Sequence, residues 1–187
     1  MIYHLIIDIE TLATSADAMV LEVGAILYLS NQTTNSYHSF VATPQGNTST
    51  ATINFHQEKT DLFHNYFSNL ATAKPMSQIV TELNELTEVL GNDIIVWAWG
   101  SDFDFPILRT AAEYAGVSFF PSVHYRNFKC LRTFASSFLS DTELPKKPTN
   151  AHSALADCQW ELEVLKLALA KQAEMVEKCK QQNCSTT

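Results

Sequence analysis

Ile6-Ile7-Asp8-Ile9-Glu10-Thr11-Leu12 is an apolar run interrupted by two carboxylates one residue apart. Isoleucines at 6, 7 and 9 mark a buried central strand. Side chains alternate along a strand, so Asp8 and Glu10 point to one face, roughly 7 Å apart along the chain. Two like charges held there repel each other and lose hydration, which favours a cation between them. Hard oxygen ligands suit Mg²⁺ or Mn²⁺. A strand that has simply reached solvent, with both carboxylates on an exposed tip, explains this segment equally well.

Outward from this strand, the pattern predicts strands over 2–9, 20–29 and 36–41, arranged as a meander. A polar loop follows over 43–52, with Pro44, Gly46 and Asn47. Helices are expected over 55–70 and 77–90, the second ended by Gly91-Asn92, and then a short apolar strand over 94–99. A helix over 105–115 is entered through Pro106 and closed by Gly116. Another is expected over 129–139, then a proline-containing loop over 141–151 and a long amphipathic helix over 153–178. Strands that first meander and then alternate with helices predict an α/β fold, a mixed sheet flanked by helices on both faces. With 187 residues, 46% of them hydrophobic, the chain suffices for one domain, expected over 1–178 with a frayed tail over 179–187.

A net charge of -8 argues against non-specific coating of long duplexes, which calls for a basic protein. It is compatible with an enzyme that grips one or two phosphates through metal ions. No acidic residue occurs from Tyr114 to Ser140, where Arg126, Lys129 and Arg132 lie, followed by Lys146 and Lys147. This is either a substrate-facing patch or an ordinary solvated surface. Cys130, Cys158, Cys179 and Cys184 show no zinc-ligand spacing, as expected of a reduced chain. No apolar run approaches the roughly 18 residues of a membrane helix, and no signal peptide is evident. The expectation is a cytoplasmic protein without a membrane partner.

Ligands gather at the carboxyl ends of strands in open α/β sheets, where Asp8 and Glu10 lie. The strand over 94–99 also leads into acids, in Gly100-Ser101-Asp102-Phe103-Asp104. Taken alone, Asp102 or Asp104 reads equally as a helix N-cap. The last piece is Ala151-His152-Ser153-Ala154-Leu155-Ala156-Asp157, which ends a loop and enters a helix. A separation of five does not set His152 and Asp157 on one helical face. It suits a histidine on a loop and an aspartate on the helix, both directed to one pocket.

The series DIET, then FD after a strand, then His-x-x-x-x-Asp at a late helix resembles the DEDDh 3′-to-5′ exonucleases of ribonuclease H-like fold. The strings IIDIETLATSADAMVLEVGAILYL and WAWGSDFDFPILR are similar to the branch that holds phage exonuclease A and ribonuclease T-like exoribonucleases. The resemblance spans about residues 5 to 165 and implies a mixed sheet of about five strands. By position, it places the four acidic residues on Asp8, Glu10, Asp104 and Asp157, and the histidine on His152. Asp102 competes for the third place, and its position before the FD pair favours Asp104. Ala13 departs from relatives that often carry Gly after the Thr-Leu pair.

The resemblance implies hydrolysis of single-stranded nucleic acid from its 3′ end, with two divalent ions, Mg²⁺ or Mn²⁺, held by the four carboxylates. His152, neutral near pH 7, takes the proton from the attacking water. Thr11 and Leu12 adjoin the terminal nucleotide, Phe103 offers a ring for stacking, and Trp97 and Trp99 belong to the core. RNA and DNA are not distinguished, and a homodimer is a candidate assembly. The branch resembled includes phage and bacterial enzymes. The alternative is a module on the same fold that binds nucleic-acid ends without cleaving them.

Overall fold

The computed structural model describes residues 2–29, 32–88, 90–147 and 152–184. Part of the expected loop (148–151) and the end of the expected tail (185–187) lie outside the described residues, as does Val89 of an expected helix. The strands are β1 (Tyr3–Thr11), β2 (Val20–Leu29), β3 (Gln32–Phe40), β4 (Ile94–Ala98) and β5 (Phe128–Cys130). They form one sheet in the order β3-β2-β1-β4-β5. β2 pairs antiparallel with β1 and β3, whereas β1–β4 and β4–β5 are parallel. The expected α/β fold with a mixed sheet is therefore present, and β1 is its central strand.

Alternation along β1 divides the core. Leu5, Ile7 and Ile9 pack with Ile79 and Leu83 of α3 (Met76–Glu88) and Ile107 and Leu108 of α4 (Ser101–Tyr114). Ile6 packs on the opposite face with Cys158, Leu162 and Leu165 of α6 (Ala154–Cys184) and Leu131 of α5 (Leu131–Ser136). Asp8 and Glu10 share the parity of Ile6, so both are presented to the α6 face. α1 (Thr50–Lys59) and α2 (Leu62–Ser68) cover one end of the sheet through Leu12, Leu21, Phe40, Leu62 and Tyr66.

Several boundaries differ from expectation, each for a local reason. The helix expected over 55–70 is two helices, because Thr60 is extended (φ -137°, ψ 164°). Its hydroxyl donates to the His56 carbonyl and accepts from the Leu62 N–H, satisfying backbone groups on both sides of the break. α1 also begins within the expected loop, and β3 begins before the expected strand at 36. α4 starts at Ser101 rather than 105, because the amides of Phe103 and Asp104 bond the Gly100 carbonyl. Its first turn therefore carries Asp102 and Asp104, where the helix dipole favours negative charge. The helix expected over 129–139 gives its start to β5, a three-residue edge strand, and α5 is shorter. α6 continues to Cys184, past the expected end at 178.

Candidate active site

The site stands where β1, α4 and α6 meet. Asp8 pairs with Gly24 of β2, and Glu10 pairs with Glu22. A register shift between Glu10 and Thr11 marks a β-bulge directly beside the carboxylates, a device that re-aims a strand end. Gly24 is required by close approach: a Cβ there would lie 2.5 Å from the Ala154 backbone carbon. Its absence lets the first turn of α6 sit against the sheet next to Asp8.

A single carboxylate fastens that turn. Glu22 Oε1 accepts from the Ala154 N–H at 2.9 Å and from the Ser153 hydroxyl at 3.0 Å, and lies 2.8 Å from His38 Nε2. Glu22 thus caps α6 from a neighbouring strand. One residue earlier, His152 has φ 74°, a conformation costly for a side chain with a Cβ. Its N–H donates to Asp157 Oδ2 at 3.0 Å, closing the five-residue separation and holding the histidine at the mouth of the site.

Ligand atoms of Glu10, His152 and Asp157 all lie within 4.8 Å of one another. Asp104 is 4% exposed, whereas Asp102 points outward, where its carboxylate accepts from the Ser101 hydroxyl. Of the two competing aspartates, Asp104 faces the interior. Burial, followed by repulsion from Glu161, Asp104, Glu10 and Asp157, pushes Asp8 well above the usual carboxylate range. Burial, then the charges of Glu22 and Asp157, pushes Glu10 up to about 8. Burial also raises Asp104 to about 7, against backbone hydrogen bonds and the Arg132 charge, which pull it down. Lys147 Nζ stands 3.1 Å from Asp157 Oδ1 and lies over the Trp160 ring. Burial and then the Lys147 charge lower the His152 pKa, leaving a neutral ring near pH 7.

A cleft of about 360 Å³ opens above these groups, lined by Glu10, Thr11, Phe55, His56, Phe103 and His152. Phe55 meets His152 edge to face at 5.1 Å. Thr11 gives its hydroxyl to the Ala13 carbonyl, while its own carbonyl lies 3.0 Å from His56 Nε2. Leu12 lines the adjoining groove instead, with Ile53, Phe63 and Phe67, and His56 borders both. Trp97 is buried and bonds His4, and Trp99 packs on Trp160 at 4.7 Å, so both tryptophans belong to the core side.

Glu22, Phe55, His56 and Glu161 were not singled out by the sequence reading. A charge within the apolar run VLEVGAILYL was a readable signal for Glu22, and a spacing of four from Asp157 was one for Glu161. Phe55 and His56 gave none, because only the turn of α1 brings them over β1. The donor set is of hard oxygens with one imidazole, and Glu161 Oε2 is buried without a hydrogen-bond partner among the described residues. Those features fit a hard divalent cation.

No curated protein sequence matches the chain. Among solved structures, the zinc-bound complex of E. coli ExoI with ssDNA is similar at TM-score 0.67 and 14% identity, over 95% of this chain and 42% of that one. The chain therefore spans less than half the length of that protein. The nuclease domain of 3′hExo, described as a DEDDh family member and bound to rAMP, is similar at TM-score 0.57 and 11% identity, over 87% and 89% of the two chains. Cell-death related nuclease 4 is similar at TM-score 0.59 and 14% identity, over 90% and 64%. These likenesses show the ribonuclease H-like exonuclease fold. Among the described residues, no helix is long and apolar enough to cross a membrane. A family model, described as the 3′-5′ exoribonuclease Rv2179c-like domain, matches residues 3–169. The chain belongs to this family.

Proposed function

We propose that this domain removes nucleotides from the 3′ end of single-stranded nucleic acid, with RNA as the substrate class that the family description favours. The observation that carries the reading is the convergence of Glu10, His152 and Asp157 within 4.8 Å, with Asp104 buried and Asp8 half-buried beside them. Asp8, Glu10, Asp104 and Asp157 would hold two divalent ions, Mg²⁺ or Mn²⁺. Such ions supply Lewis-acid stabilisation of phosphoryl charge and lower the pKa of bound water. The neutral His152 ring accepts the proton of the attacking water as its oxygen bonds to phosphorus. The bond from phosphorus to the 3′ oxygen of the penultimate nucleotide breaks, and a 5′-mononucleotide leaves. Asp157 holds the His152 backbone in place, so the base is positioned before substrate arrives.

Phe55 and Phe103 supply aromatic surface to the terminal base, and Thr11 borders the same cleft. The cleft admits an unpaired end, which supports single strands over duplexes. The test compares 3′-labelled and 5′-labelled single-stranded RNA and DNA of one sequence with Mg²⁺, Mn²⁺ or EDTA, beside the Asp8→Asn protein. Metal-dependent release of mononucleotides from the 3′ end, faster on RNA and lost in Asp8→Asn, is the expected result. Well-folded protein that binds 3′ ends but releases nothing with either metal overturns the reading in favour of a non-cleaving module.

A further inference from the structure

α6 carries a second acid one turn beyond Asp157. Residues four apart lie above one another on one helical face, so Glu161 follows Asp157 along the same side. That side packs on the sheet. Between the two acids, Cys158 places its sulfur 3.8 Å from the Ile6 carbonyl oxygen of β1. Beyond them, Leu162 and Leu165 fill the apolar cluster of Ile6, Ile26 and Trp97. The Glu161 carboxyl is thereby turned into the interior rather than to solvent.

Glu161 is 2% exposed, and its Oε2 has no hydrogen-bond partner among the described residues. Of the carboxylates around Asp8, Glu161 repels it most strongly, ahead of Asp104, Glu10 and Asp157. Asp104 and Asp157 act on Glu161 in turn. The Lys147 ammonium contacts Asp157, and its charge also acts on Glu161 without contacting Oε2. Glu22 Oε2 is also buried without a hydrogen-bond partner among the described residues, but its other oxygen caps α6. On the apolar face of α6 the free Glu161 oxygen costs free energy that a leucine would avoid. A cation on the floor removes that cost, because an unpartnered oxygen is what a hard ion takes as a ligand.

We propose that Glu161 is a fifth metal-holding carboxylate, using its free Oε2 beside Asp8 and Asp104 to retain a divalent ion at the floor of the cleft. This rests on the metal-dependent reading above and extends it beyond the four acidic positions of the motif. The added charge tightens the site for a hard divalent ion, so that cleavage saturates at a lower metal concentration. It also gives a role to the Oε2 of this deep glutamate, which has no hydrogen-bond partner among the described residues.

The test is a Mn²⁺ titration of the wild-type chain, Glu161→Gln, Glu161→Leu and Asp8→Asn, read by calorimetry and by the metal-induced rise in melting temperature. The metal dependence of 3′-end cleavage is read in parallel. Glu161→Gln keeps size and hydrogen-bonding groups while removing charge, and Glu161→Leu matches the surrounding apolar cluster. The expected result is a Mn²⁺ half-saturation about 10-fold or more higher in both Glu161 variants, by binding and by cleavage alike. Their metal-free melting temperatures equal or exceed that of wild type. Glu161 variants that bind Mn²⁺ within about twofold of wild type, while Asp8→Asn loses binding, overturn the role of Glu161 and leave the metal-dependent reading intact. Wild-type protein that takes up no Mn²⁺ overturns both.

Discussion

Glu10 and Glu22 face each other across the β1–β2 ladder and are both nearly sealed from solvent, at 7% and 1% exposure. They nevertheless serve opposite ends. Glu22 is tied on one oxygen to Ser153, Ala154 and His38, and through them it anchors the start of α6. Glu10 borders the open cleft, and burial together with the charges of Glu22 and Asp157 pushes it up to about 8. One carboxylate stabilises the fold that presents the other in a destabilised state. A glutamate in a strand is thus assigned by its partners rather than by its burial. The fold tolerates the crowded floor because α6 is fastened independently of it.

The sharpest way to break this contrast is to neutralise each glutamate in turn. Glu10→Gln is expected to lower 3′-end cleavage by about 10³-fold or more, since losing several kcal/mol of metal-dependent stabilisation is worth that much. Its metal-free stability should match or exceed that of wild type, as judged by urea unfolding. A Glu10→Gln protein that is markedly less stable would make Glu10 a second anchor and erase the distinction. Next in size is His152→Ala, for which turnover is expected to fall about 10²- to 10⁴-fold. The Mg²⁺-induced rise in melting temperature should survive that change, because the carboxylates remain; activity within a few-fold of wild type would remove His152 as the base.

Glu22→Ala probes the other side. It leaves the Ala154 N–H and the Ser153 hydroxyl without their shared acceptor, which is expected to cost about 1–3 kcal/mol for the buried amide alone. Cleavage should fall through kcat, with the metal half-saturation unchanged, because His152 loses its fixed position while Asp8 and Asp157 persist. Unaltered stability in Glu22→Ala would show that α6 is held by its apolar face without the cap.

The same pair shows where the chain could be read and where it could not. Alternation alone placed Asp8 and Glu10 on one face of β1, because period two is a property of the strand itself. The resemblance carried by the FD pair and the His152-to-Asp157 spacing named the other candidate residues, and the structure turns Asp104 inward and Asp102 outward. Glu22 was visible as a charge in an apolar run, but its meaning depends on Ser153 and Ala154, more than a hundred residues away. Phe55 escaped notice because α1 begins in a stretch rich in Thr and Ser that resembles loop, and packing against Leu12 and Leu62 overrides that local preference. β5 was hidden for a different reason: three residues, Phe128, Lys129 and Cys130, are too few to display an alternation.

The smallest expected effect is a pH dependence whose sign separates the two kinds of carboxylate. Glu10 moves from 4.5 to about 8 and Asp104 from 3.8 to about 7 on folding, so the folded chain binds more protons than the unfolded one over that interval. Their contribution is complete below the ordinary carboxylate values and is lost as pH rises through about 7 to 8. Exposed Glu143 runs the other way, lowered to about 2 by Ser140 and Lys171, so its contribution is lost only on acidification and is weakened by solvent. Metal-free protein should therefore melt several degrees lower at pH 9 than at pH 6, with each kcal/mol worth about 2–4 °C at this chain length. Glu10→Gln should flatten that limb, whereas the cap formed by Glu22 should leave it unaltered. With Mg²⁺ present the slope should reverse, because the ion binds the deprotonated cluster and its stabilisation grows as protons leave. Melting curves from pH 5 to 9, with and without Mg²⁺, check both limbs. A metal-free protein that gains stability between pH 6 and 9 would mean that the floor carboxylates are already paired, and the contrast between Glu10 and Glu22 would fall.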